Sequence, residues 1–332
     1  MKACVLERPA PIETTPLTLR EVPAPDPAPG SLLVAVTACG VCHTDLHLVE
    51  GELPHPKLPV VPGHEVVGRV AAVGAGVTRF RVGDRVGIPW LHQTCGTCDY
   101  CRRGQENLCE AARFTGYTAD GGYAEYLTVP QDFAVPIPDR FSDEEAAPLL
   151  CAGIVGYRAL RQADLQPGER LGIFGFGASG HLVLQVARHW GCEVYVFSRS
   201  EEHRAHARAL GAAWAGTATD TPPAPLDRAI SFAPAGWLVP VALGHLRRGG
   251  TLCINAIHTS PIPEMPYALL WHERTLRTVA NATRRDAEEF IALAAQIPLQ
   301  VTAQRFDLDA ANEVLAHLKR GAITGAAVLR VR

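Results

Sequence analysis

The 332-residue chain contains no run of about 18 apolar residues, so no segment reads as a membrane-spanning helix. Its first stretch, MKACVLERPAPIETT, lacks the apolar centre of a secretion signal. It also lacks an excess of positive charge. Thirty-one Lys and Arg stand against 34 Asp and Glu, a net charge of −3, which excludes an electrostatic grip on DNA, RNA or anionic lipid. There is no internal repeat and no low-complexity tract; TATDTPPAPLD (217–227) reads as a surface loop. With 47% hydrophobic residues the chain can bury a sizeable core, and its length fits about two domains. A cytoplasmic enzyme or binding protein is the expectation.

What the chain has in plenty is cysteine: ten, without a secretion signal. Cys4, Cys192 and Cys253 are scattered, and the others fall within 39–109 or at 151. Closely spaced thiols in a reducing compartment favour metal over disulfides. The run CGTCDYCRRGQENLC places Cys95, Cys98, Cys101 and Cys109 at C-x2-C-x2-C-x7-C. Four thiolates at that spacing can converge tetrahedrally on one Zn²⁺ and leave no position for water, so a structural zinc is expected. A four-iron cluster is the rival, but the C-x2-C-x2-C-x3-C-P run of bacterial ferredoxins is absent.

A second set is spread over three segments. CGVCHTDLH (39–47) offers Cys39 and Cys42, VPGHEVVG offers His64 beside Glu65, and LLCAGIVGY offers Cys151. A redox dithiol at Cys39–Cys42 would need a thioredoxin-like βαβ unit around it, and none is present. One cysteine of the first pair with His64 and Cys151 makes a Cys₂His shell with an open fourth position, the pattern of a catalytic zinc.

The first 140 residues, rich in Gly, Pro and Val, read as hairpins of a compact β domain. Ser142 reads as the N-cap of a helix running through SDEEAAPLLCAGIVGYRALRQADL. From about 168, strand and helix patterns alternate, which predicts a doubly wound parallel sheet. Its first turn, GFGASG, sets Gly175, Gly177 and Gly180 between an apolar strand and an apolar helix, the dinucleotide-binding context. After the next strand an NAD enzyme needs an Asp or Glu for the ribose diol; Ser198 and Arg199 stand there, with Glu201 close by. That favours NADP(H) over NAD(H). GWLVPVALGHLRRGG, RRDAEEFIALAAQI and DAANEVLAHLKRG read as helices, and GAAVLRVR as a final strand that could return to the first domain.

Taken together, ACGVCHTDLH, PGHEVVGRVAAVGAGV, the four-cysteine lobe, LLCAGI and GFGASG resemble the zinc-dependent alcohol dehydrogenases of the medium-chain dehydrogenase/reductase family, over nearly the whole chain. The resemblance implies an α/β protein with a GroES-like catalytic domain (1–149 and 285–332, zinc lobe about 92–112), a Rossmann domain (150–284) and an active cleft between them. It implies two zinc ions per chain, a nicotinamide coenzyme, a small alcohol or aldehyde substrate, and dimers or tetramers. It assigns Cys42, His64 and Cys151 to the catalytic zinc and leaves Cys39 without a catalytic task. Thr44 would bind the substrate oxygen and His47 would end a relay through the coenzyme ribose. His43 would lie near the pyrophosphate, with Asp45 and Glu65 behind the metal.

Departures from the family are visible too. Val155 and Ala326 replace a common Thr and Arg, which leaves Arg284 or Arg285 as substitutes for the latter. Trp90 is a candidate pocket wall, while Val49 and Leu53 stand where ethanol-specialised relatives carry tryptophan, which predicts longer or bulkier substrates. A polyol dehydrogenase or other reductase of the family is the alternative. A zinc-binding redox-regulatory protein and a zinc-ribbon nucleic-acid binder are more remote.

Overall fold

The computed structural model describes Met1–Arg332. The chain forms two compact units: Met1–Cys151 with Ala282–Ala295 and Val301–Arg332, and Ala152–Asn281 with Gln296–Gln300. No helix is long and apolar enough to cross a membrane.

The first unit is built on a seven-stranded sheet whose spine is Ser31–Val41. Along its first seven residues every second side chain is buried, the period-2 signature of a strand with one covered face. Its last four, Ala38–Val41, are buried on both faces and lead straight to Cys42. Glu65–Val73 pairs antiparallel with it, Glu65 opposite Gly40, so the segments carrying Cys42 and His64 emerge side by side. The chain's last strand, Ala326–Arg330, joins the same sheet antiparallel to Ser31–Val41, with Leu329 opposite Cys39. A long-range strand thus closes the unit behind the site. Ala326 is buried in this strand opposite Ala303.

The second unit is a six-stranded, all-parallel sheet. Its order is Trp214–Gly216, Glu193–Phe197, Arg170–Phe174, Leu226–Ser231, Leu246–Ile254, Thr275–Thr278. Strand order reverses beside Arg170–Phe174, the switch point at which doubly wound sheets bind dinucleotides.

Two helices differ from expectation. Ser142 does cap one, accepting from the Glu145 N–H at 3.2 Å while Glu145 accepts from Ser142 N at 2.9 Å. That helix, however, stops at Ala146 and tightens to a 3-10 turn over Ala147–Leu150, with the next helix starting at Ala152. Pro148 is the cause, since it lacks an N–H and its ring crowds the preceding turn. Cys151 is therefore a non-helical joint (φ −124°, ψ −70°) between two helical segments. Similarly, the helix expected through residue 250 ends at His245, because Leu246 turns extended and LRRGGTLCI continues as strand.

Candidate active site and metal centres

Cys95, Cys98, Cys101 and Cys109 bring their sulfurs within 4.8 Å of one another. Cys95 Sγ lies 3.9 Å from Cys101 Sγ and 3.6 Å from Cys109 Sγ, far beyond disulfide length. Backbone N–H groups of Thr97 and Cys98 point at Cys95 Sγ from 3.5 and 3.3 Å. They hold that thiol down to about 6, toward the thiolate a metal needs. The lobe is anchored by the buried Glu106, whose carboxylate accepts from Arg284 N (2.8 Å), Nε (3.0 Å) and Nη2 (2.7 Å). Arg284 also lies over the Phe133 ring at 4.6 Å. Arg284 is thus committed to the lobe, and Arg285 is paired with Glu289 at 2.6 Å.

The second cluster gathers Cys42, His64, Glu65 and Cys151, again with donor atoms within 4.8 Å. Cys42 directly follows the central strand and is the N-cap of the helix His43–Glu50. Asp45, at that helix's third position, accepts the Cys42 N–H at 3.0 Å with Oδ2. Its Oδ1 accepts Gly63 N–H and meets His64 Nδ1, both at 3.1 Å. So an acid in the first helical turn, favourable there on dipole grounds alone, is also what orients the His64 ring. His64 is wholly buried, and its Nε2 has no protein partner. A buried imidazole nitrogen left unpaired costs stability unless something else binds it.

Thr44 is 9% exposed, with Oγ1 3.7 Å from Cys42 Sγ. The Trp90 indole meets the His64 ring edge-on at 4.9 Å and stacks on Phe114 and Tyr117. Gly40 makes room for Glu65, because a Cβ there would sit 1.8 Å from Glu65 Oε2.

The clustered donors shift one another strongly. A hydrogen bond from Cys151, and next the His64 imidazolium, pull the Cys42 thiol well below its usual range despite burial. The same bond and burial push Cys151 well above. Burial, then the Cys42 charge, pushes Glu65 up. Two thiols, an imidazole nitrogen and a carboxylate within 4.8 Å of one another form a donor set that fits Zn²⁺.

At the outer end of the same helix, His47 Nδ1 pairs with Glu52, a residue that carries no signal of that role in the sequence. His43 is exposed, its ring 6.4 Å from that of His47. Val49 is wholly buried in the core, whereas Leu53 is partly exposed, so of these two positions only Leu53 has surface to offer a ligand.

In the second unit, Gly175 takes φ +92° directly after Arg170–Phe174, and Gly177 caps the helix Ala178–His189, which contains Gly180. Only glycine suits Gly175, where a Cβ would also lie 2.9 Å from Ala233 N. His181 Nδ1 approaches the Gly177 carbonyl at 3.3 Å and stiffens this turn. Ser198 and Arg199 follow Glu193–Phe197. Glu201 is occupied within its own helix by Arg204 and by Arg208, the latter at 3.0 Å, whereas the Arg199 side chain is exposed.

Two family profiles match the chain: "Alcohol dehydrogenase GroES-like domain" over residues 28–139 and "Zinc-binding dehydrogenase" over 178–296. A "Probable alcohol dehydrogenase AdhA" of Mycobacterium tuberculosis (strain CDC 1551 / Oshkosh) is 52% identical, covering 100% of this chain and 97% of the relative. An alcohol dehydrogenase of Geobacillus stearothermophilus is 38% identical with both chains covered in full. Among solved structures, a cinnamyl alcohol dehydrogenase of Sorghum bicolor superposes with a TM-score of 0.90 at 30% identity, over 98% of this chain and 97% of that one. The alcohol dehydrogenase of Aeropyrum pernix gives 0.89 at 32% identity over the full length of both. The chain belongs to the zinc-type alcohol dehydrogenases of the medium-chain dehydrogenase/reductase family.

Proposed function

We propose that this alcohol dehydrogenase interconverts alcohols and aldehydes or ketones with NADP(H), using a catalytic zinc held by Cys42, His64 and Cys151 and a structural zinc held by Cys95, Cys98, Cys101 and Cys109. The observation that carries the reading is His64, whose Nδ1 is held by Asp45 while its buried Nε2 has no protein partner beside two thiols. Zinc held there would supply Lewis acidity toward the substrate oxygen, and a bound nicotinamide coenzyme would supply the hydride chemistry at the carbinol carbon.

The chain's own residues do the rest. Thr44, beside Cys42, would fix the direction of the substrate oxygen, taking its proton while passing the Thr44 hydroxyl proton on by way of the coenzyme ribose toward His47. His47, whose Nδ1 pairs with Glu52, hands the proton to solvent. Trp90 walls the substrate side of His64. Asp45 and Glu65 support the ligands, and the three glycines of the second unit serve the coenzyme phosphates. We place the protein in the cytoplasm, where ten free cysteines are at home, as a homodimer or homotetramer.

The coenzyme preference follows from the second unit. Glu201 is tied to two arginines, and the exposed Arg199 with Ser198 suits a 2′-phosphate better than a ribose diol. Assays with both coenzymes against C2 to C8 alcohols should give the higher kcat/KM with NADP⁺ and a rise from ethanol to longer chains. Arg199→Ala should lower kcat/KM for NADP⁺ about 10-fold or more, the worth of one charge-assisted hydrogen bond, and leave NAD⁺ nearly unchanged. A preference for NAD⁺ would sink the coenzyme reading, and ethanol as the best substrate would sink the pocket reading.

A further inference from the structure

The zinc ligands are aimed by Asp45, and Asp45 itself needs aiming. A carboxylate turns easily about its last side-chain torsion, which is broad rather than staggered. Asp45 uses Oδ1 for Gly63 and His64 and Oδ2 for Cys42, so a modest rotation would release one to favour another. A fourth donor prevents this. The Tyr123 hydroxyl, from the remote run DGGYAEY, donates to Asp45 Oδ2 at 3.2 Å.

Tyr123 is itself immobilised. It is wholly buried, its N–H donates to Pro62 O at 3.0 Å, and its carbonyl accepts from Cys4 N at 2.8 Å. Its ring also lies against Gly63, the residue before His64. A Cβ at Gly63 would stand 2.4 Å from Tyr123 Cδ1, and φ there is +96°, so only glycine lets ring and ligand loop coexist. One side chain therefore touches both the loop that carries His64 and the carboxylate that orients it.

We propose that Tyr123 is a positioning residue of the zinc centre, whose phenol locks the Asp45 carboxylate and through it the direction of His64 Nε2. The proposal rests on the reading of Cys42, His64 and Cys151 as a zinc site. Its test is Tyr123→Phe in the full chain, which removes one oxygen from a buried ring. Metal affinity is measured by competition with a chromogenic chelator, site geometry by the absorption bands of the Co²⁺-loaded protein, and fold by melting of the metal-free protein.

The expected result is an affinity about 10-fold weaker at one of two sites, the scale of a missing outer partner, with shifted Co²⁺ bands and metal-free melting close to wild type. Repeated in an Asp45→Asn background, the change should add little, because the phenol acts through that carboxylate. Unchanged affinity and spectrum with lowered melting, or an undiminished effect in the Asp45→Asn background, would overturn the proposal. A wild type that binds metal only at the four-cysteine lobe would overturn the underlying zinc reading, and this proposal with it. Should the Phe variant not fold, Tyr123→Met, adaptable in volume and without a donor, carries the same comparison.

Discussion

Cys42→Ala should lose one zinc per chain and lower kcat/KM by about 10³-fold or more, whereas Cys39→Ala should keep both metal and activity. The two cysteines are three residues apart, yet the fold gives them opposite tasks. Cys39 is wholly buried in the central strand opposite Val66 and Leu329, and its thiol lies against the positions of Gly63 and Gly122. Burial pushes that thiol well above its usual range, as suits an inert packing group. Cys42 has left the strand, begins the next helix, and is drawn toward thiolate by Cys151 and His64. Removing it would take one ligand from the proposed Cys42, His64 and Cys151 shell. Removing the Cys39 sulfur leaves only a small cavity, at a cost of about 1 kcal/mol of stability. Elemental analysis and steady-state kinetics on both variants decide the matter. Equal losses of zinc from the two would contradict the assignment.

The second large effect is expected at Thr44. Thr44→Val keeps the shape, yet it should lower kcat by about 10²- to 10⁴-fold, the range of a general acid–base group. Thr44→Ser, which restores the hydroxyl, should recover most of it. The hydroxyl is 3.7 Å from Cys42 Sγ on a residue only 9% exposed. Its removal should leave metal content unchanged, because zinc is bound by Cys, His and carboxylate side chains rather than by a neutral hydroxyl. Loss of zinc along with activity would mean that the residue supports the ligands rather than the substrate. An unaltered kcat would remove it from the proton path.

How far such roles are legible in the chain depends on whether the signal is local. The four-cysteine lobe and the glycine turn are each written within some fifteen residues, where spacing and flanking pattern carry the geometry. The alternation in SLLVAVTACGV marks the central strand in the same direct way. The interruption between Ala146 and Ala152 is harder to see, because APLLC is apolar like the helix AGIVGYRALRQ that follows it. Pro148 is the available signal, and its consequence is to free Cys151 from helical geometry.

Tyr123 and Glu52 are not legible at all. A tyrosine in a glycine-rich turn and a glutamate after a helix look like ordinary hairpin and surface residues. They acquire partners only when segments 78 residues apart, or five, are brought together by folding. Val49 shows the opposite case: aligned with a substrate-pocket position, it faces the core once the helix is packed.

The central claim is that the chain carries two metal centres of different purpose, and metal content tests it most directly. Protein purified with zinc available should hold about two zinc ions per chain, four thiols closing one site and Cys42, His64 and Cys151 the other. Mild chelation should remove one of them together with activity, and added zinc should restore both. A protein that holds a single zinc and stays inactive after metal is restored would leave only the four-cysteine lobe standing and would contradict the catalytic centre.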